Sequence, residues 1–137
     1  MKKSIFKSLL VVLLFTLTAC NPSATKLQIA IKAANLECPI DAGNGATVTE
    51  IFIEDNNIIY KTLLEENETV AVENFDNEFV KSIMQASLVE YLNNQNNTEE
   101  KEFLKLVKEA NYNIVYRYIG ITSNYQVDIV ISPDELK

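Results

Sequence analysis

Apolar residues along this 137-residue chain form one unbroken run near the start and a series of periodic segments after it. The run extends over residues 9–17, is interrupted only by Thr16, and follows Lys2, Lys3 and Lys7. It is too short for the ~20 apolar residues of a spanning helix, and a basic head before such a run is the pattern of an export leader. Over residues 26–36, Leu27, Ala30, Ile31 and Ala34 share one helical face. Glu37-Cys38-Pro39 ends that helix, because the residue before a proline disfavours the α region. A loop over 41–46, with Gly43 and Gly45, leads to a predicted strand at 48–54. Alternation there puts Val48 and Phe52 on one face and Thr49, Ile51 and Ile53 on the other. Asp55-Asn56-Asn57 is a turn, since Asn and Asp tolerate left-handed backbone, and 58–64 returns as the partner strand. Glu65-Glu66-Asn67-Glu68 closes it, with 69–72 as a candidate short third strand.

Two helices follow. Over 78–92, Val80, Ile83, Met84, Ser87, Leu88 and Tyr91 form a stripe, with Asp76 or Asn77 as cap. The second runs from Thr98 or Glu99 to Ala110. Its buried face is Phe103, Leu104, Val107 and Ala110, Asn97 and Glu100 approximate a capping box, and Glu99, Glu100 and Glu102 suit the positive helix start. A second hairpin completes the chain: Tyr112, Ile114, Tyr116 and Tyr118 alternate with Asn113, Val115, Arg117 and Ile119. Residues 120–124 turn, 125–131 return, and Ser132-Pro133-Asp134 stop the strand. The predicted fold is α+β: one antiparallel sheet of four or five strands built from two hairpins, with about three helices on one face. Because both faces of the strand at 112–119 carry apolar groups, part of the second face is also expected to be covered.

The leader changes the arithmetic. After its apolar run comes Leu17-Thr18-Ala19-Cys20, which resembles the lipobox of bacterial lipoproteins: leucine, two small residues, then cysteine. The resemblance implies cleavage between Ala19 and Cys20, diacylglycerol on the Cys20 sulfur, and often a third acyl chain on the new amine. Two or three chains anchor stably where one is marginal. The expected organisation is therefore a signal peptide over 1–19, a lipidated tether over 20–25 and a single α+β domain over 26–137. Cleavage leaves 118 residues and removes three lysines, so nine Lys and Arg face nineteen Asp and Glu, a net charge of −10. Such acidity repels nucleic-acid phosphates and anionic headgroups, which argues against nucleic-acid binding and leaves membrane attachment to the lipid.

Composition excludes further chemistry. The chain has no histidine, so Ser-His-Asp and Cys-His catalysis and His-ligated zinc are out. There is no CxxC, P-loop, GxGxxG or GxSxG, and no cofactor or metal site is expected. If Cys20 is acylated, Cys38 has no intrachain partner, and without a cationic base it reads as a packing cysteine rather than a nucleophile. The stretches Glu65, Glu66, Glu68 and Glu73, Asp76, Glu78 lack the EF-hand spacing, so they read as solvated loop rather than a calcium site.

The amphipathic helix, Asn35-Leu36-Glu37-Cys38-Pro39, the Gly-bearing loop, the two hairpins and the Tyr-rich end resemble small bacterial envelope lipoproteins of uncharacterised function. That resemblance implies a lipid-anchored domain and transfers no catalytic residues. Two features are binding candidates. Tyr112, Tyr116, Tyr118 and Tyr125 form either an aromatic platform or part of the core under the helices. Arg117, the chain's only arginine, points to the opposite face, either to clamp a carboxylate ligand or to pair with an acidic neighbour. The expected function is an interaction module that binds an envelope protein or a small ligand through an exposed sheet face. The alternatives are a hydrolase using two carboxylates, which act on glycosides at ~5–5.5 or ~6.5–9.5 Å separation, and an inhibitor or immunity-type protein of an exported enzyme.

Overall fold

Residues 21–137 are described by a computed structural model; Ala19, Cys20 and the rest of the leader lie outside the described residues. Helix α1 (Pro22–Asn35) starts earlier than its apolar stripe indicates. Asn21 caps it, its Oδ1 accepting from Ala24 N at 3.2 Å, and Pro22 occupies the first turn, where a missing N–H costs nothing. The predicted tether is thus corrected: residues 22–25 belong to the folded domain, and Thr25 is already buried.

Five strands form one sheet in chain order: β1 (Ile40–Gly43), β2 (Ala46–Glu54), β3 (Asn57–Leu64), β4 (Asn113–Gly120) and β5 (Gln126–Ile131). β2/β3 and β4/β5 are the two predicted hairpins. The fifth strand is β1, from the segment read as a loop, whereas 69–72 lead into a 3-10 turn (Val72–Phe75). Where the hairpins join, β3 and β4 run parallel. Helices α2 (Glu78–Asn93) and α3 (Thr98–Ala110) cross back between them, capped by Asn77 and Asn97. Asn111 then takes a left-handed φ of 59°, and Asn113 pairs with the start of β3 through Asn56 O and Asn57 Oδ1. The chain therefore re-enters beside the strand's beginning, which fixes the parallel register.

A bulge between Val48 and Glu50 corrects the expected facing of β2. Val48 lies opposite Thr62 and Ile51 opposite Tyr60, so Val48 joins Ile51 on the helix side while Phe52 faces away. On the helix side, Leu27 and Ile31 of α1, Leu104 and Val107 of α3, and Ile58, Ile114 and Ile131 of the sheet form the main core. A second cluster gathers Leu64, Val72, Val127 and Ile129, with Met84 and Leu88 of α2. On the opposite face Ile59 and Val115 are buried.

Beyond the end of β3, Glu66 fastens its loop to the β4–β5 turn. Its carboxylate accepts from Ser123 N (2.8 Å), Ser123 Oγ (3.0 Å) and Val72 N (3.0 Å), and the Ser123 and Val72 amides hold it below the usual carboxylate range. The carboxylate rests against Gly120, where a Cβ would overlap it. Two results follow. A depressed folded pKa gives stability that is present at neutral pH and is lost as pH falls below the ordinary glutamate value of 4.5. Acid titration of the thermal midpoint should show this loss, reduced in Glu66→Gln. Gly120→Ala should lower the midpoint in the native background and lower it less on Glu66→Ala, where the carboxylate clash is gone and only Ser123 Oγ stands in the way of the new Cβ.

Candidate functional site

The tyrosine row does not form a single platform. Tyr112 is buried at 9 % exposure in the main core. Tyr118 packs edge-on against Phe75, ring centroids 5.8 Å apart, and burial raises its pKa. Tyr125 lies 37 % exposed beside the β4–β5 turn, its hydroxyl donating to Asp76 Oδ2 at 2.9 Å. Asp76 also pairs with Lys81 Nζ at 2.6 Å, and those two partners, Lys81 first, hold its carboxyl below the usual range. Tyr116 lines a groove between the helices and the sheet. Arg117 is on the other face as expected, where Nε and Nη2 donate to Asp128 Oδ1 and Oδ2 at 3.0 and 3.1 Å. That two-point bond engages the planar fork a carboxylate ligand would need. The expectation of an exposed tyrosine-bearing sheet face is therefore corrected: helices cover that face and leave a groove across it.

The groove has a volume of about 490 Å³ and lies between α2, α3 and the sheet. Its floor is Tyr60 and Tyr116, adjacent in the parallel β3/β4 register and stacked with centroids 5.4 Å apart at 22°. Tyr91, Leu92 and Gln95 form one wall, Glu100, Phe103 and Leu104 the other, and Ile40 closes the β1 end. Tyr91 is 62 % exposed at the rim, so the groove is entered over an aromatic edge. Among the described residues neither floor hydroxyl has a hydrogen-bond partner, which leaves two donors in an apolar trough. Desolvation and the neighbouring Tyr91 push the Tyr60 phenol up to about 12, and burial raises Tyr116 as well. Both are neutral donors at any physiological pH. The raised Tyr60 pKa stabilises the fold fully below pH 10 and is lost as pH rises through about 12. Alkaline titration of tyrosinate absorbance should therefore show a late component that moves down towards pH 10 when the protein is unfolded in urea.

Apolar walls with a few polar points suit an apolar peptide segment better than a charged metabolite. Glu100 is the one carboxylate lining the groove. Among the described residues no group of three or more carboxylates and thiols is placed to hold a metal. Cys38, half-buried, has its thiol pKa raised by desolvation and then by Glu37 and Glu50, which keeps it protonated. Sequence reasoning found Tyr116 but missed Tyr60, Tyr91, Phe103 and Ile40 as one site. Tyr60 beside Tyr116 follows from the parallel pairing, which no local pattern announces.

The architecture is that of a five-stranded, mostly antiparallel α+β protein. The sequence matches no protein-family model and no curated protein. Solved structures do share the fold. A Pseudomonas aeruginosa protein assigned as secreted matches with a TM-score of 0.62 at 11% identity, covering 84% of this chain and 93% of its own. The type II secretion system pilotin AspS of Vibrio cholerae matches at 0.54 and 10% identity, covering 82% and 91%. The type 2 secretion system pilotin EpsS of Vibrio vulnificus matches at 0.55 and 8%, covering 84% and 92%.

Proposed function

We propose that this chain is a lipid-anchored envelope protein that holds an apolar segment of another envelope protein in the groove between α2, α3 and the sheet. The observation that carries this reading is the groove itself, floored by the Tyr60–Tyr116 stack and rimmed by exposed Tyr91. Amphipathic rings bind apolar surface at low entropic cost, and their hydroxyls fix a segment's register. The lipobox supplies the anchor, and the secretion pilotins of the same fold favour an interaction role in the envelope over catalysis. A carboxylate hydrolase needs two converging acids, and the groove offers Glu100 alone.

A photocrosslinking residue in place of Tyr91, compared with one in place of Ile29 on the outer side of α1, tests the reading in cells. One envelope protein joined at position 91 through an apolar peptide, and not at 29, is the expected result. Equal labelling from both positions would remove the groove as the binding site. Cys20→Ser should weaken the adduct, since untethering lowers effective concentration.

A further inference from the structure

The start of α1 has a consequence for how the protein stands on its membrane. Asn21, the residue after Cys20, is the helix cap, and the helix is docked from its first turns. Thr25 and Leu27 are buried, and Ser23 Oγ donates to Glu109 Oε2 of α3 at 2.9 Å. A lipid on Cys20 would thus join the folded domain with no free linker between them.

The position of α1 says which end of the domain that is. Asn35 Oδ1, at the end of α1, accepts from Ile51 N at 2.9 Å at the β2 edge. Ser23, at its start, bonds Glu109, just before the chain reaches Asn113 and its bond to Asn56 O past the end of β2. The helix therefore runs antiparallel to β2, and its first turn lies at the sheet end that carries Asp55, Asn56 and the start of β4. The other end, where β3 stops at Leu64, is one eight-residue strand away, roughly 23 Å. The two ends differ in charge. Residues 21–26, 54–57, 105–113 and 132–137 hold four lysines and five carboxylates, whereas 65–78 hold six carboxylates and no cation, Asp76 alone being paired, with Lys81.

We infer that lipidation fixes the domain in one orientation, with the near-neutral end against the headgroups and the acidic end pointing away. This rests on the anchoring reading above. Without a linker the domain cannot tumble about its lipid. If it tipped over, six carboxylates would come within the Debye length of ~8 Å of an anionic surface and be repelled. The groove follows the same axis. Glu109, in the last turn of α3, meets Ser23 near the anchor, but the groove uses Glu100 and Phe103 from the first half of α3, and Ile40 beyond the end of α1. It is displaced from the membrane by about the length of α1, 14 residues or ~21 Å. The partner it fits is a protein segment standing off the bilayer, not a lipid and not a juxtamembrane stretch.

Energy transfer to headgroup-labelled lipid tests the orientation on full-length protein in phosphatidylethanolamine–phosphatidylglycerol vesicles. In a Cys38→Ser background, a donor dye goes on Asn56→Cys or on Glu68→Cys, both exposed positions. Transfer should be several-fold stronger from 56 than from 68. A Gly/Ser insertion of ~15 residues after Cys20, which reaches roughly 20 Å as flexible coil, should bring the two close together. Equal transfer from both positions in floated protein without the insertion would overturn the orientation alone. Protein that fails to float with the vesicles, as Cys20→Ser should, would overturn the anchoring reading and the orientation with it.

Discussion

Leu27→Ala should lower the unfolding free energy of residues 21–137 by about 2–5 kcal/mol, the range for truncating a fully buried leucine. Leu27 is 0 % exposed and packs α1 into the main core beside Ile31. No bonded ladder joins α1 to the sheet, and the Asn35–Ile51 bond holds only its last residue. Apart from the exposed Ser23–Glu109 bond to α3, its attachment therefore depends on that apolar stripe, and the cavity left by alanine sits where α1 meets α3. Two residues on, Ile29 is 55 % exposed, and Ile29→Ala should shift stability by less than about 0.5 kcal/mol. Urea denaturation of the two variants beside the parent gives the comparison. A small change at Leu27 would mean that α1 is held by something other than its buried face.

Tyr116→Ala should cost about 3 kcal/mol, at the low end for aromatic truncation because one side of the ring faces the groove. Tyr116→Phe should cost well under 1 kcal/mol, since the stack on Tyr60 survives and the lost hydroxyl has no partner among the described residues. The pair separates architecture from recognition. Phenylalanine keeps the floor but removes a donor, so crosslinking at position 91 should fall while thermal stability holds. If crosslinking is unchanged in Tyr116→Phe, the segment is held by apolar contact alone.

Most elements were legible because they obey local rules. The stripe Phe103, Leu104, Val107 and Ala110 marks α3, and three of the four are buried in it. Asn77 and Asn97, read as caps, do cap α2 and α3. The early start of α1 is also in the sequence: Asn21-Pro22 is a start signal, although the apolar stripe begins only at Leu27. Other features had no local signature. The stripe read on α2 is only half covered: Val80, Met84 and Leu88 are half-buried, the last two against the core clusters, while Ile83, Ser87 and Tyr91 are exposed, and the helix's one buried residue, Leu92, lies outside the stripe. Helical spacing identifies a face but not the partner that covers it, and α2 lies at the sheet's β5 side, against the smaller cluster.

By itself the sequence determined the α+β class, both hairpins, the extents of α2 and α3, and the acidity of the chain, because spacing, caps and turn residues act within a few residues of one another. The tertiary structure decided the rest. The parallel β3/β4 contact joins residues 56 positions apart, set by where α3 delivers the chain, and it alone brings Tyr60 beside Tyr116. The bulge in β2 turned Val48 towards the helices through pairing with β3, not through anything in its own alternation. The groove exists because the end of α2 and the start of α3 flank that floor, a placement fixed by packing between elements that no single segment encodes.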